Sequence, residues 1–371
     1  MPTMNINSPR TSLVFFFIVL FMVFGCSGAK NATPMMTTDF EFISGNKTLS
    51  GIIDQPVNGK VQALIVFVHG SGVTNIRREK RYFDLRCRFV DLGIGCVTWD
   101  KPGRGRSEGV FDDNQPLEES AREVLDAIAW LRAEKVPGSE KIGIWGTSRG
   151  GWVVPIALSH NTGVEFWISV SGVPAEDNKY YLIKSNLPLE GRTQQETERL
   201  MEEWRRGRQI FFQGGDYESY LAATESLRKD SAVLYFAGNL TSSKEEYKAD
   251  QEAYMKTKDQ YEFDEETFSI MRVRNFDEML SGLDIDVLAL FGEKDTNVNW
   301  RKARALYEST IGQNPNASLR IHAFPDCNHS MSVSATGSVR EVEGTPLDAG
   351  VKCEGYYEAQ IEWLRKYVIS E

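Results

Sequence analysis

Ile144-Trp145-Gly146-Thr147-Ser148-Arg149-Gly150-Gly151 is the stretch that decides how the rest of this chain reads, because of what flanks it. Lys141 to Trp145 reads as a buried strand and Gly150 to His160 as a helix, so Ser148 falls at the junction. A serine between two glycines at a strand-to-helix turn has its hydroxyl lifted above the sheet edge. Glycine is required on both sides because the turn crowds the backbone against its neighbours. The helix that follows presents free N–H groups and the positive end of its dipole to any negative charge that develops there.

Outward from this turn, strands and helices alternate. Phe40 to Ile43 and Leu49 to Ile53 read as a hairpin around Ser44-Gly45-Asn46-Lys47. Ala63 to Val68 is a continuous apolar, largely β-branched run, the mark of a strand covered on both faces. Glu79 to Leu92 reads as a helix, Cys96 to Trp99 as a strand, and Pro116 to Lys135 as a strong helix with Val124, Ile128 and Leu131 on one face. Val164 to Val170 is another strand. After a long interval come Asp286 to Leu290 (strand), Trp300 to Ile311 (helix), Leu319 to Phe324 (strand) and Tyr356 to Val368 (helix). This order predicts an α/β fold with a mostly parallel central sheet flanked by helices. Residues 39–173 and 284–371 form its core. Residues 174–283, rich in charged and aromatic residues at helical periodicity, read as an inserted helical cap, with Trp204, Phe211, Phe212, Tyr217 and Tyr220 needing cover.

The chain has 371 residues, 41% hydrophobic and 25% charged, which is ordinary for a core-forming globular protein. A net charge of −10 argues against a nucleic-acid partner, since phosphate binding needs clustered Lys and Arg. At the N-terminus, Arg10 precedes the apolar run Leu13 to Phe24, too short to span a bilayer comfortably and of the length of a signal peptide's core. Val23-Phe24-Gly25-Cys26-Ser27-Gly28 resembles the lipobox of bacterial lipoproteins. That resemblance implies a signal peptide over 1–25, lipidation of Cys26 as the first mature residue, a linker over 26–38, and attachment to the bacterial periplasm or cell envelope through lipid alone. An ordinary signal peptide and an uncleaved anchor are the alternatives, and all three export the protein. Export would permit disulfides among Cys87, Cys96, Cys327 and Cys353. Cys327–Cys353 is the pair that would tie a long loop down; buried free thiols are the alternative.

A serine hydroxyl needs a neighbouring base to become a nucleophile. The chain has only 4 histidines. His69 ends the Ala63 strand beside Gly70-Ser71-Gly72, His160 lies at the far end of the helix after Ser148, and His322 lies within a strand. His329 falls in a loop at the carboxyl edge of the sheet, where α/β ligands bind, and is the candidate base. Asp295, just beyond the Asp286 strand, is the candidate orienting acid, with Glu293 as fallback. Asp284 and Asp286 precede that strand, and Asp326 is too close to His329 along the chain.

His69-Gly70-Ser71-Gly72, Asp100 to Ser107, Gly146 to Gly150, Gly292-Glu293-Lys294-Asp295 and Asn328-His329-Ser330 together, in that order, resemble the α/β-hydrolase superfamily, most of all its bacterial esterase and prolyl-oligopeptidase-related branches. The resemblance implies an α/β-hydrolase fold and a Ser148–His329–Asp295 triad acting without metal or organic cofactor. It also implies an oxyanion hole from the backbone N–H groups of Arg149 and of Ser71, with Gly72 as the alternative, and a bracing role for the Asp100 to Ser107 turn. The expected substrate is a small or medium acyl ester. An amidase or peptidase, a lipid or thioester hydrolase, and an inactive binding module are the rivals. The sequence leaves the oligomeric state open. Ser330 to Gly355 is longer than the link expected between such a histidine and the last helix.

Overall fold

The structure, a computed structural model, describes residues 22–24, 33–78, 82–160, 162–238, 240–241, 243–342 and 350–369. Cys26 and most of the segment read as an export signal lie outside the described residues. Met22–Phe24 within that segment form a short strand, β1, antiparallel to the start of β2 (Met35–Ser44). β2 turns at Gly45-Asn46 into β3 (Lys47–Pro56). Pairing of Met35–Thr38 with Ile53–Pro56 makes the linker shorter than 26–38, because main-chain groups with a partner strand available are held as sheet.

The alternation then follows in order: β4 (Ala63–Val68), α1 (Phe83–Asp91), β5 (Ile94–Trp99), α2 (Leu117–Ala133), β6 (Ile142–Thr147), α3 (Gly150–Leu158) and β7 (Val164–Val170). Helix α1 begins later than its sequence pattern suggests, after Tyr82, which holds a left-handed φ of 56° and so breaks the helix. Between β7 and β8 (Asp286–Gly292) the described residues form α4 (Lys179–Asn186), α5 (Gln194–Phe212), α6 (Tyr217–Ala223), α7 (Ser231–Ala237), α8 (Lys244–Met255) and α9 (Phe276–Ser281). After β8 come α10 (Trp300–Ser309), β9 (Ser318–Phe324) and α11 (Tyr356–Tyr367). The sheet order is β1-β2-β3-β5-β4-β6-β7-β8-β9, parallel from β5 through β9 and antiparallel across β1, β2, β3 and β5.

Strand periodicity divides the core into two layers. On β4, Leu64, Val66 and Val68 face one side with α2, α3 and α10, while Ala63, Ile65 and Phe67 face the other with α1 and α11. β8 divides likewise, with Val287, Ala289 and Phe291 on the first side and Leu288 and Leu290 on the second. The inserted helices carry a separate apolar cluster around Leu200, Trp204, Val233 and Phe236. Their other aromatics cover one another: Phe211 and Tyr217 lie 5.2 and 5.4 Å from the Tyr247 ring, and Phe212 lies 4.8 Å from Tyr254.

Cys327 and Cys353 are joined, closing a 26-residue separation that contains most of the long segment before α11. Cys96 is a buried free thiol. Replacing both bonded cysteines with serine is expected to cost roughly 3–4 kcal/mol, as loop-closure entropy for that length implies. Calorimetry checks this, and a melting temperature equal to that of the parent would refute a stabilising role.

Candidate active site

Ser148 leaves β6 in the left-handed region, with φ 52°, a conformation that costs a non-glycine residue about 1–3 kcal/mol and needs support from its surroundings. Its N–H donates to Val170 O at 3.0 Å, and its carbonyl accepts from Gly151 at 2.7 Å. The flanking glycines answer to crowding: a Cβ on Gly150 would lie 2.9 Å from Val68 O, and one on Gly146 would lie 2.9 Å from the Val154 side chain. The Arg149 side chain turns away, donating to Ser120 Oγ at 3.0 Å and to Gln115 O, and so pins the start of α3 to α2.

His329 Nε2 lies 2.9 Å from Ser148 Oγ, and His329 Nδ1 lies 2.7 Å from Asp295 Oδ2. These contacts join residues 181 and 34 positions apart. Asp295 is buried, and its Oδ1 accepts from the N–H groups of Asn297 (2.8 Å) and Val298 (2.9 Å), which fixes the plane of the carboxylate. Burial opposes protonation of the His329 ring, but the charge and hydrogen bond of Asp295 outweigh it, and the pKa stands above its ordinary 6.5. Glu293, the fallback acid, is exposed, while Asp326 pairs with Lys294 at 2.9 Å. His69 Nε2 meets Thr98 Oγ1 at 2.9 Å, and the His322 ring lies 6.4 Å from Phe324 on β9.

Gly70 and Ser71 line the same cavity as Ser148 and His329. The Gly72 N–H is engaged by Asp113 Oδ1 at 2.8 Å, which takes it out of the role of alternative oxyanion donor. Lys101 clasps the loop from behind, donating to Gly70 O (2.5 Å) and Gly72 O (2.8 Å). Ser107 Oγ donates to Asp100 O at 2.6 Å and accepts from Ser50 N–H at 2.9 Å, so the Asp100 to Ser107 turn that carries Lys101 is tied to β3.

Several supports of His329 were not singled out from the sequence. Ser171, itself left-handed at φ 50°, donates its hydroxyl to His329 O at 2.7 Å. Lys352 Nζ donates to Ser330 O at 2.8 Å, and Asn328 Oδ1 accepts from the N–H groups of Ser330 and Ser332. The position of Ser171 at the end of a buried strand was a usable signal; that of Lys352, 22 residues from its partner, was not. From the inserted helices, Tyr181 donates to Asp295 O at 3.1 Å and Ser185 to Thr296 O at 2.7 Å, so α4 is docked on the loop that carries the acid. The cavity has a volume of about 670 Å³. Among the described residues no cluster of His, Cys, Asp or Glu has the form of a metal site. This arrangement can pass a proton from a serine hydroxyl to a half-buried imidazole and hold the resulting cation against a buried carboxylate.

The family described as X-Pro dipeptidyl-peptidase (S15 family) matches residues 55–324, well over half of the chain. Over 121 residues the chain is 29% identical to the quorum-quenching protein AidA of Acinetobacter baumannii, covering 33% of this chain and 39% of that protein. Over 141 residues it is 26% identical to the polyketide transferase grgF of a Penicillium species, covering 38% and 46%. The chain thus spans less than half the length of either relative. Among solved structures, the Pyrococcus furiosus esterase Pf2001 superposes with a TM-score of 0.50 at 17% identity, covering 90% of this chain and 91% of that one. DcsB in complex with its substrate analogue superposes with a TM-score of 0.51 at 18% identity, covering 90% and 99%. At these identities the likeness establishes the α/β-hydrolase fold.

Only a neutral His329 can accept a proton, so kcat/KM is expected to fall on the acid side through a pKa above 6.5. Asp295→Asn removes the charge that raises this pKa. The acid limb should then move to lower pH, with kcat down by about 10³- to 10⁴-fold. An acid limb unmoved in Asp295→Asn would mean that the carboxylate does not set it.

Proposed function

The chain belongs to the S15 family of X-Pro dipeptidyl-peptidases and is a serine hydrolase; from that premise we propose that it cleaves carboxylic esters of small acyl groups, with Ser148 as nucleophile, His329 as base and Asp295 as orienting acid. The observation that carries the catalytic assignment is the single imidazole bonded to both the Ser148 hydroxyl and the Asp295 carboxylate. In this reading Ser148 Oγ attacks the acyl carbon as its proton passes to His329 Nε2. The tetrahedral oxyanion is held by the backbone N–H groups of Ser71 and Arg149, an arrangement typically worth about 3–4 kcal/mol for each donor. His329 then gives the proton to the departing alcohol oxygen, leaving an acyl-serine. Water, deprotonated by the same imidazole, attacks the acyl-serine, and the proton returns to Ser148. Residues 174–283 act as a cap over the site.

Ester cleavage is favoured over release of N-terminal dipeptides by the charges around the nucleophile. An anchor for a peptide ammonium needs carboxylates, whereas among the described residues the cavity lining carries Lys179 and Lys352 against one carboxylate, that of Asp84. Family membership favours the peptidase as second reading. Turnover of p-nitrophenyl acyl esters compared with X-Pro p-nitroanilides separates the two. The expected result is ester turnover that peaks at short chains and falls by about 10⁶-fold in Ser148→Ala. Efficient anilide turnover with slow ester turnover would instead establish the peptidase.

The protein is further proposed to be exported and held at the cell envelope by lipid on Cys26, supported by the apolar run Leu13 to Phe24 and the lipobox-like Val23 to Gly28. Among the described residues no helix is long and apolar enough to cross a membrane. Cys26→Ala is expected to release the protein from the membrane fraction. Retention of that variant on membranes would sink the lipid-anchor reading.

A further inference from the structure

The walls of the cavity at Ser148 divide by chemistry. Against the sheet, α1 and α11, the lining is aromatic, with Tyr82, Trp145 and Tyr356. Towards the inserted helices and the His329 loop it is basic, with Lys179 and Lys352. The acid among the described lining residues, Asp84, is exposed, as is Lys179. In a chain with 52 acidic and 42 basic residues, a nucleophile's cavity that has two lysines and one aspartate among its described lining residues departs from the acidic balance of the molecule as a whole. A cleft of one sign with low-dielectric walls concentrates ligands of the other sign.

Lys179, at the first turn of α4, is the cation least committed to structure. Its Nζ donates to a neutral acceptor, Phe236 O, at 3.2 Å, and an ammonium has three donors. Desolvation pulls its pKa below the ordinary lysine value, opposed by the field of Asp177. That carboxylate is spent elsewhere: Oδ2 accepts from Ile270 N–H at 2.8 Å and Arg208 at 3.2 Å, and Oδ1 accepts from the backbone N–H of Lys179 at 3.0 Å. Lys352 enters from the other side of the chain, with Nζ 2.8 Å from the carbonyl of Ser330, the residue after His329. Two lysines carried by separate elements therefore line the cavity that holds the nucleophile.

We infer that Lys179, seconded by Lys352, receives an anionic group of the substrate, so that this hydrolase selects esters bearing a carboxylate over neutral esters of equal size. The inference rests on the reading of Ser148 as an ester-cleaving nucleophile. An ammonium–carboxylate contact in a partly dehydrated cavity is stronger than the same contact in water, and the aromatic wall opposite accommodates the uncharged remainder.

The test uses the full-length protein and two matched substrate series. One compares p-nitrophenyl half-esters of glutaric to suberic acid with p-nitrophenyl alkanoates of the same chain length. The other compares 3-carboxyphenyl with 3-carbamoylphenyl butanoate, which places the charge on the leaving group. In at least one series kcat/KM should favour the anion by about tenfold, equivalent to ~1.4 kcal/mol, mainly through KM, with the preference shrinking as salt is added. Lys179→Met should bring the ratio towards one, Lys179→Arg should keep most of it, and Lys179→Glu should invert it, with circular dichroism checking that each variant is folded. A ratio of one or less in both series, or one that survives Lys179→Met, overturns the inference. The neutral esters separate the two levels of argument. Neutral turnover without anion preference defeats the anion site alone, and no ester turnover of either kind defeats the ester reading itself.

Discussion

The left-handed turn at Ser148, with φ 52°, is the constraint around which the other parts of the site are arranged. A residue in that conformation persists only where its neighbours over-determine it. Here they do so from three directions: β7 accepts the Ser148 N–H at Val170, the first turn of α3 returns to its carbonyl, and β4 presses against the backbone at Gly150. The close approach of β4 leaves no room for a side chain at Gly150, so the Gly-x-Ser-x-Gly spacing reflects the packing of α3 on the sheet as much as catalysis. With the hydroxyl fixed above the sheet edge, the loops after β4, β8 and β9 have a common point to meet.

Two of those loops are held by means that differ in kind. The loop after β4 is the shorter of the two, and one ammonium, Lys101, gathers two of its carbonyls. The loop after β9 is long and carries the base, so it is restrained at several points: Ser171 on the backbone of His329, Asn328 across the turn, Lys352 on Ser330, and the covalent link from Cys327 to Cys353. Each added restraint lowers the entropy lost when His329 is ordered against Ser148, which a free loop of this length would otherwise oppose. The result is an imidazole already in register with both partners.

Most of the inserted helices share their own apolar cluster and aromatic contacts, while α9 buries Phe276 and Leu280 in the main core. Their connection to the site runs through α4, which hydrogen-bonds the main chain of Asp295 and Thr296 through Tyr181 and Ser185. The same helix brings Lys179 to the cavity, so the segment that docks on the Asp295 loop also lines the space beside Ser148. An insertion anchored in this way can vary its cavity-facing residues while leaving the acid loop in place, which is how one fold serves many substrates.

The order of strands and helices was legible in the sequence because burial on both faces of a parallel strand leaves an unmistakable run, as in Ala63–Val68 and Val164–Val170, whose bounds agree in sequence and structure. Ser148, His329 and Asp295 were legible for a related reason: each follows a strand at the carboxyl edge, so chain order alone restricts the choice. Helix α1 and the start of β2 were misplaced because a left-handed Tyr82 and a partner strand, respectively, override local pattern. What the sequence could not supply was the set of contacts between positions distant along the chain. That Gly72 is engaged by Asp113, that Ser171 holds His329, and that Lys179 and Lys352 share one cavity all depend on how loops pack once the sheet has formed. Periodicity records which face of an element is buried; it carries no information on which polar group each loop will meet, and tertiary packing alone settles that.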